Sequence, residues 1–320
     1  MKPISKNDHL EMNDVITVNQ QLDPIAPSYL DNTTWAARRD RLRIDEKRLM
    51  AAYCARHDFL VPEGLNPETD HRETIASILV NQGTTPHTVV KEVLGWIRDN
   101  QRLGPFDITW YTPGTLIPST LLAFRQENPH LTAATQLFMF PGRVDFQIQA
   151  VAGPEAVTFA ERLERCFTYA FLSTNSFNME EGTAYFHYPE EIRLQVACAK
   201  RYAAHKFLFL DSSKFKREGD AGYRINNLLE TSEAVTIYTV SSKKDPWIKT
   251  KFEVLGERLL ETPGNKRTSA RAASYHAFDM KALRLRIIGQ DETPTYVTEH
   301  KGFLKTKPAP SAVSTNGAAS

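Results

Sequence analysis

The sequence of 320 residues lacks long hydrophobic runs, a leader-like start and an excess of either charge. No apolar run approaches the roughly 20 residues that a membrane span needs, and the first residues, MKPISKNDHLEMNDV, contain no apolar signal-peptide core. We therefore expect a cytoplasmic protein without a membrane segment. Lysine and arginine (39) balance aspartate and glutamate (38), for a formal net charge of +1. Overall charge thus indicates neither nucleic acid nor an acidic partner.

The motifs of several enzyme classes are also missing. Cys54, Cys166 and Cys198 have neither metal-ligand nor redox-motif spacing, so we expect reduced thiols and no metal site. The sequence shows no Walker loop, no Ser-His-Asp order and no metal-ligating cluster. We predict no cofactor and assign no catalytic residue.

What is present is an alternation of short apolar runs with longer helical patterns. Such alternation indicates βαβ units and a Rossmann-like, mainly parallel α/β sheet. Runs such as FLFL, apolar on both sides of the pleat, favour helices on both faces of that sheet. The predicted strands are Thr74–Val80, Ile108–Tyr111, Thr135–Phe140, Tyr169–Ser173, Phe207–Leu210, Val235–Val240 and Lys281–Gly289. The predicted helices are 35–57, Thr88–Asp99, Ser119–Gln126, Pro154–Arg165, Glu190–Ala204, Tyr223–Thr231 and Trp247–Glu261.

Three segments follow from these patterns. Residues 1–34 are polar and lack periodicity, which predicts a flexible N-terminal arm. Residues 35–290 form the predicted α/β domain, with an irregular C-terminal extension beginning near 241. Its first helix, 35–57, alternates basic and acidic side chains and is predicted to present a solvated charged face. Residues 291–320, rich in Pro, Ala and Ser towards their end, are predicted to be a disordered tail.

The segment ILVNQGTTPHTVV places a small-residue loop between a strand and a helix. Gly83 allows a close backbone approach, and the hydroxyls of Thr84 and Thr85 add to the N–H groups of the helix start, which suits phosphate. Pro86 fits the first turn, where its missing N–H has no partner to lose. The alternative for this motif on its own, and the more common case, is a turn that only caps the helix.

A second polar loop follows the strand in HKFLFLDSSKF. It offers Asp211, Ser212, Ser213 and the ammonium of Lys214. In a parallel sheet, ligands bind at the carboxyl ends of the strands, so both loops predict a site for a phosphate and the hydroxyls of a small polyol. The alternative is a polar turn with a solvated lysine.

The ordered set GTT, PGR, GPEA, EEG and DSSKF, spread over about 200 residues, resembles the C-terminal sensor domain of DeoR-type transcriptional repressors. That resemblance implies a Rossmann-like fold related to ribose-5-phosphate isomerase and glucosamine-6-phosphate deaminase. It also implies a phosphorylated sugar as ligand and an oligomeric state. By position it assigns these ligand-binding residues: Asn81, Gly83, Thr84, Thr85, Arg143, Glu190 or its neighbour Glu191, Asp211, Ser212 and Lys214.

The chain departs from the DeoR pattern at several positions. Asn81 stands where the family has an aspartate, and an amide cannot act as a carboxylate. Pro141 replaces a common glycine, and Arg193 is the nearest match to a basic residue of the helix after the acidic pair. Residues 1–34 lack the paired helices of a helix-turn-helix, so we do not expect direct DNA binding.

Three hypotheses remain. The first is a phosphosugar-responsive regulatory protein that acts through a homo-oligomer or a hetero-oligomer with a full-length DeoR-type regulator. The second is a sugar-phosphate isomerase or deaminase, whose general base would be Asp211, Glu180, Glu181 or His187. The third is a partner protein with a degenerate pocket.

Overall fold

The computed structural model describes residues 43–59, 74–101, 106–132, 135–146, 148–243, 245–261, 280–290 and 293–305. The predicted N-terminal arm, the start of the first predicted helix and the end of the predicted tail lie outside these residues.

The described chain alternates helices and strands, as expected. The helices are α1 Ile44–His57, α2 Thr84–Asp99, α3 Leu116–Glu127, α4 Pro154–Arg162, α5 Pro189–Ala199, α6 Ile225–Glu230 and α7 Asp245–Leu259. The strands are β1 Thr74–Val80, β2 Phe106–Thr112, β3 Gln136–Met139, β4 Arg143–Asp145, β5 Ala150–Ala152, β6 Phe167–Leu172, β7 Ser176–Asn178, β8 Thr183–Phe186, β9 Ala203–Phe209, β10 Asp220–Arg224, β11 Ala234–Val240, β12 Leu260–Glu261, β13 Met280–Ile288 and β14 Pro294–Leu304.

A nine-stranded sheet organises the fold, in the order β12-β14-β13-β11-β9-β6-β1-β2-β3. The seven strands from β13 to β3 pair in parallel, and β14 pairs antiparallel with β13 and β12. The predicted α/β class with a mainly parallel sheet is therefore correct.

Helices cover both faces of this sheet because its central strands are apolar on both sides. In β1, Ile78 and Val80 join one core cluster, which also holds buried residues of α1, α2 and α3. Leu79 joins the opposite cluster, with buried residues of α4, α5, α6 and α7. Alternation along a strand sends successive side chains to opposite faces, so the FLFL-type runs have a partner layer on each side.

The C-terminal edge differs from the sequence prediction. Strand β14, Pro294–Leu304, pairs along nearly all of β13, although it lies in the segment predicted to be a disordered tail. Its burial alternates weakly, and Gly302 alone among its eleven residues is buried, which explains why its sequence resembled a tail. Two small antiparallel units, β10-β8-β7 and β4-β5, were also not predicted. Within the described residues, no helix is long and apolar enough to cross a membrane.

Candidate functional site

Between β1 and β6, the direction in which successive strands are added to the sheet reverses. From β1 the chain proceeds through α2 to β2 and β3 on one side, and from β6 it proceeds to β9, β11 and β13 on the other. Such a switch point opens a crevice outside the carboxyl ends of the two strands, where open α/β sheets bind ligands. We call the loops 81–83, 173–175 and 210–214 the switch-point crevice. It contains both loops predicted from sequence and adds the loop after β6.

The loop after β1 leads into α2 through a glycine with positive φ. Gly83 has φ 120° and ψ 164° and begins α2 without a side-chain cap. A Cβ on Gly83 would lie 3.1 Å from Ser173 Oγ, so glycine suits both the torsion and the close approach. The first N–H groups of a helix have no carbonyl within the helix to bond. Those of Thr84 and Thr85 therefore add to the positive end of the α2 dipole.

Asn81, predicted as a ligand residue, shapes this loop instead. Its side chain is fully buried. Its amide nitrogen donates to Gln195 Oε1, and its Oδ1 accepts the Gln82 N–H at 3.1 Å. Both ends of the amide are thus engaged within the protein, which fixes the conformation of the loop that leads to Gly83 and the helix start.

Helix α1 joins the two predicted loops. Lys47 is buried, and its Nζ donates to Thr84 Oγ1 at 2.9 Å. The preceding residue, Glu46, accepts the Ser212 N–H at 2.7 Å and the Ser212 hydroxyl at 2.8 Å. Because consecutive Cα atoms are about 3.8 Å apart, the loops after β1 and β9 meet at one turn of α1.

The prediction of a solvated charged face on this helix was therefore wrong for Lys47. Buried Met50, Ala51 and Cys54 follow it at spacings of three, four and seven. That spacing places Lys47 on the apolar, inward face of the helix. The spacing was a signal in the sequence that could have identified it.

The loop after β9 is ordered by its own side chains. Asp211 is buried, and its Oδ1 accepts the Ser213 N–H at 3.0 Å and the Ser213 hydroxyl. The Lys214 N–H donates to Asp211 O at 2.9 Å, and Lys214 O accepts the Phe177 N–H at 2.7 Å. Asp211 thus holds a turn, Ser212 is bound by Glu46, and Lys214 lies half-buried at the end of that turn.

Of the two glutamates considered, Glu191 is at the crevice. Glu190 is exposed, whereas Glu191 is buried on the face of α5 that also carries Leu194, Gln195 and Cys198. Gln82 Nε2 lies 3.4 Å from Glu191 Oε1, and Asn175 Nδ2 donates to Oε2 at 3.1 Å. Consecutive helix residues are about 100° apart around the axis, which explains why one glutamate faces solvent and the next faces the crevice.

The loop after β6 contributes positions that no motif indicated. Ser173 Oγ lies 3.4 Å from Gln82 O, and Tyr223 Oη donates to Ser173 O at 3.0 Å. Burial, followed by the nearby Cys198 and Glu191, raises the pKa of the Tyr223 hydroxyl. Tyr223 therefore stays protonated and remains a donor that fixes this loop.

The remaining predicted residues lie elsewhere. Arg143 is an exposed residue of β4, paired with β5, and it forms no part of the crevice. Glu180 and Glu181 form ion pairs with Lys251 and Arg217, and His187 is exposed.

Glu181 also lines an open cavity of about 1000 Å³ beside α7 and β12. That cavity shares no lining residue with the crevice. Among the described residues, no group of three or more His, Cys, Asp or Glu side chains could hold a metal ion.

The fold and the crevice define an α/β protein with a doubly wound sheet and a glycine-led helix start at its switch point. No known family model matches the sequence, and no curated protein matches it. The chain is similar to ribose 5-phosphate isomerase from Plasmodium falciparum, at 12% identity and a TM-score of 0.32 over 55% of each chain.

Two further solved structures are similar at the same level. Ribose 5-phosphate isomerase A from Methanocaldococcus jannaschii matches at 12% identity and a TM-score of 0.32, over 81% of this chain and 80% of that chain. A monomeric glucosamine-6-phosphate deaminase matches at 10% identity and a TM-score of 0.31, over 78% of this chain and 95% of that chain. The chain spans about half the length of two of the isomerases it matches, 53% and 55%. At these TM-scores the likeness carries no argument about activity or ligand.

Proposed function

We propose that the chain binds a phosphorylated sugar in the switch-point crevice, with the phosphate at the start of α2. The observation that carries this proposal is the buried Lys47 ammonium, 2.9 Å from Thr84 Oγ1. An ammonium, a hydroxyl and the first N–H groups of a helix are donors of the kind that bind phosphate in proteins. A phosphate would receive donors from Lys47, from the Thr84 and Thr85 N–H groups and from the threonine hydroxyls.

The wider role that we propose is regulatory and cytoplasmic. The ordered motifs that resemble DeoR-type sensor domains support it, and the crevice gathers two of them, GTT and DSSKF. The chain would act through a second copy or through a full-length DeoR-type regulator that supplies the DNA-binding part. The edge strand β3 is uncharged and leaves Phe138 and Met139 about 40% exposed, which suits a protein contact.

An isomerase or deaminase is the second candidate, favoured by one observation. The buried Glu191 carboxylate lies in the crevice among amide donors, where a base for proton transfer next to a sugar carbonyl would be placed. The bases proposed from sequence are less suitable because Asp211 holds its own turn and Glu180, Glu181 and His187 lie outside the crevice.

A thermal-shift screen tests the binding proposal. Phosphorylated and unphosphorylated sugars would be compared on the full chain, on Thr84→Ala and on Lys214→Ala. A ligand present at 100 times its Kd stabilises the fold by about 2.7 kcal/mol, which is a shift of a few degrees. We expect stabilisation by phosphorylated sugars alone, reduced in both variants. No shift with any phosphorylated sugar would contradict the proposal.

Two assays on the best ligand separate the roles. Turnover that is lost in Glu191→Gln would establish the enzyme. Binding without turnover, together with a ligand-dependent change of mass in light scattering alone or with a DeoR-type regulator, would establish the sensor.

A further inference from the structure

Gln82 carries a buried hydrogen-bond acceptor that finds no partner among the described residues. Its side chain is 3% exposed, and its Oε1 has no hydrogen-bond partner in the part of the chain that the structure describes. Buried side-chain oxygens are almost always hydrogen-bonded, and an orphan acceptor is unfavourable. An orphan acceptor inside a crevice is therefore a place to look for a ligand donor.

The orientation of the Gln82 amide follows from its neighbour. Its Nε2 lies 3.4 Å from Glu191 Oε1, and the other oxygen of that carboxylate receives Asn175 Nδ2 at 3.1 Å. An ionised carboxylate only accepts hydrogen bonds, so the amide nitrogen must face it. The oxygen of Gln82 then lies on the side of the amide away from Glu191.

The backbone holds this acceptor in place. Gln82 N–H donates to Asn81 Oδ1 at 3.1 Å, and Gln82 O lies 3.4 Å from Ser173 Oγ. On the β2 side, a Cβ added to Gly114 would lie 3.3 Å from Gln82 Cα, so the β2 loop packs closely against it. The next residue is Gly83, which begins α2. The residue that carries this acceptor is therefore fixed in the backbone directly before the glycine that leads into α2.

We propose that Gln82 Oε1 accepts a hydrogen bond from a hydroxyl of the bound ligand and selects polyol phosphates over phosphates on an apolar chain. This inference rests on the proposed function and adds the ligand class. The Lys47 ammonium and the N–H groups at the start of α2 donate hydrogen bonds, which phosphate oxygens accept. The Gln82 Oε1 accepts a hydrogen bond, which a ligand hydroxyl can donate. A site built to bond a hydroxyl disfavours an analogue without it because its own polar group is left unpaired.

The test compares ribitol 5-phosphate, pentyl phosphate and inorganic phosphate by titration calorimetry on the full chain. The first two share a five-carbon chain and a phosphate and differ in their hydroxyls. Gln82→Met removes the acceptor and keeps a similar length, and Gln82→Leu is a second apolar variant should the first not fold. Gln126→Met, at an exposed position of α3, is the matched control.

Wild type and Gln126→Met should bind ribitol 5-phosphate more tightly than pentyl phosphate. In Gln82→Met the affinity for ribitol 5-phosphate should fall by about tenfold, the worth of one hydrogen bond, with pentyl phosphate and inorganic phosphate unchanged. If wild type and Gln82→Met bound ribitol 5-phosphate equally tightly, or if the variant bound all three ligands more weakly by the same factor, the role of Gln82 would be overturned. The proposed function would still stand. If wild type bound none of the three, the proposed function would fail and this inference with it.

Discussion

Lys47 Nζ lies 2.9 Å from Thr84 Oγ1, although the two residues are 37 positions apart in the chain. The contact brings a cation from α1 to the start of α2, where the helix dipole is already positive. Both features attract an anion, and the hydrogen bond holds the ammonium at the helix start. We therefore infer that Lys47 contributes to the affinity for phosphate.

Lys47→Met should weaken phosphate binding. One charge-assisted hydrogen bond is lost, so the Kd for inorganic phosphate or ribitol 5-phosphate should rise roughly tenfold to a hundredfold. Lys91→Met, on the exposed side of α2, is the control. Unchanged affinity in Lys47→Met would contradict the assignment.

Replacing Gly83 and Gly95 with alanine should change the free energy of unfolding in opposite directions. Gly83 has φ 120°, and a Cβ there would lie 3.1 Å from Ser173 Oγ, so Gly83→Ala should lower the free energy of unfolding by about 1–3 kcal/mol. Gly95 lies within α2, and a Cβ there meets nothing within 4 Å. Gly95→Ala should raise stability by about 0.5–1 kcal/mol. Urea unfolding measures both, and a similar response at both sites would refute the argument.

The far end of α1 is held by an ion pair, which gives a third prediction. Arg286 Nε and Nη2 each lie 2.9 Å from an oxygen of Asp58, with side-chain exposures of 16% and 14%. Arg286→Leu leaves that carboxylate without its cation and should lower the free energy of unfolding by about 2 kcal/mol. The exposed pair of Arg98 and Asp99 is the control, and Arg98→Leu should change stability by less than about 1 kcal/mol. Equal losses in chemical denaturation would show that α1 is not held by Asp58.

The central sheet could be predicted because its strands are much more apolar than the segments that flank them. β1 has the predicted bounds, Thr74–Val80, since an apolar run ends there at a polar loop. β14 could not be predicted in the same way. It is a partly exposed strand that pairs with all of β13 and, at Phe303 and Leu304, with the short strand β12, and such pairing is invisible in local composition.

The candidate site was predicted in part, for a related reason. The loops at Gly83 and Asp211 carry recognisable residue types next to strands. Lys47 and Glu191 contribute through contacts between distant elements. In the sequence, Lys47 and Glu191 are marked only by their helical spacing from apolar neighbours.

The last prediction concerns Lys206, a fully buried lysine of β9. Its ammonium donates to Ala199 O at 2.7 Å, to Leu228 O at 3.3 Å and to Thr231 Oγ1. These are the carboxyl ends of α5 and α6, whose carbonyls lack partners within the helix. Burial, with added repulsion from Arg201 and Lys281, lowers the pKa of Lys206 to about 7.

The free energy of unfolding is therefore expected to rise as the pH rises above neutrality. Between about pH 7, the pKa of folded Lys206, and about 10.4, the usual lysine pKa, the unfolded chain holds a proton that the folded chain has lost. Raising the pH through this window therefore favours folding, by up to about 1.4 kcal/mol per pH unit. The free energy of unfolding, measured in urea from pH 7 to 9, should rise in wild type and rise less in Lys206→Met. Parallel curves would show that Lys206 stays charged when folded, held by its three acceptors against the effect of burial.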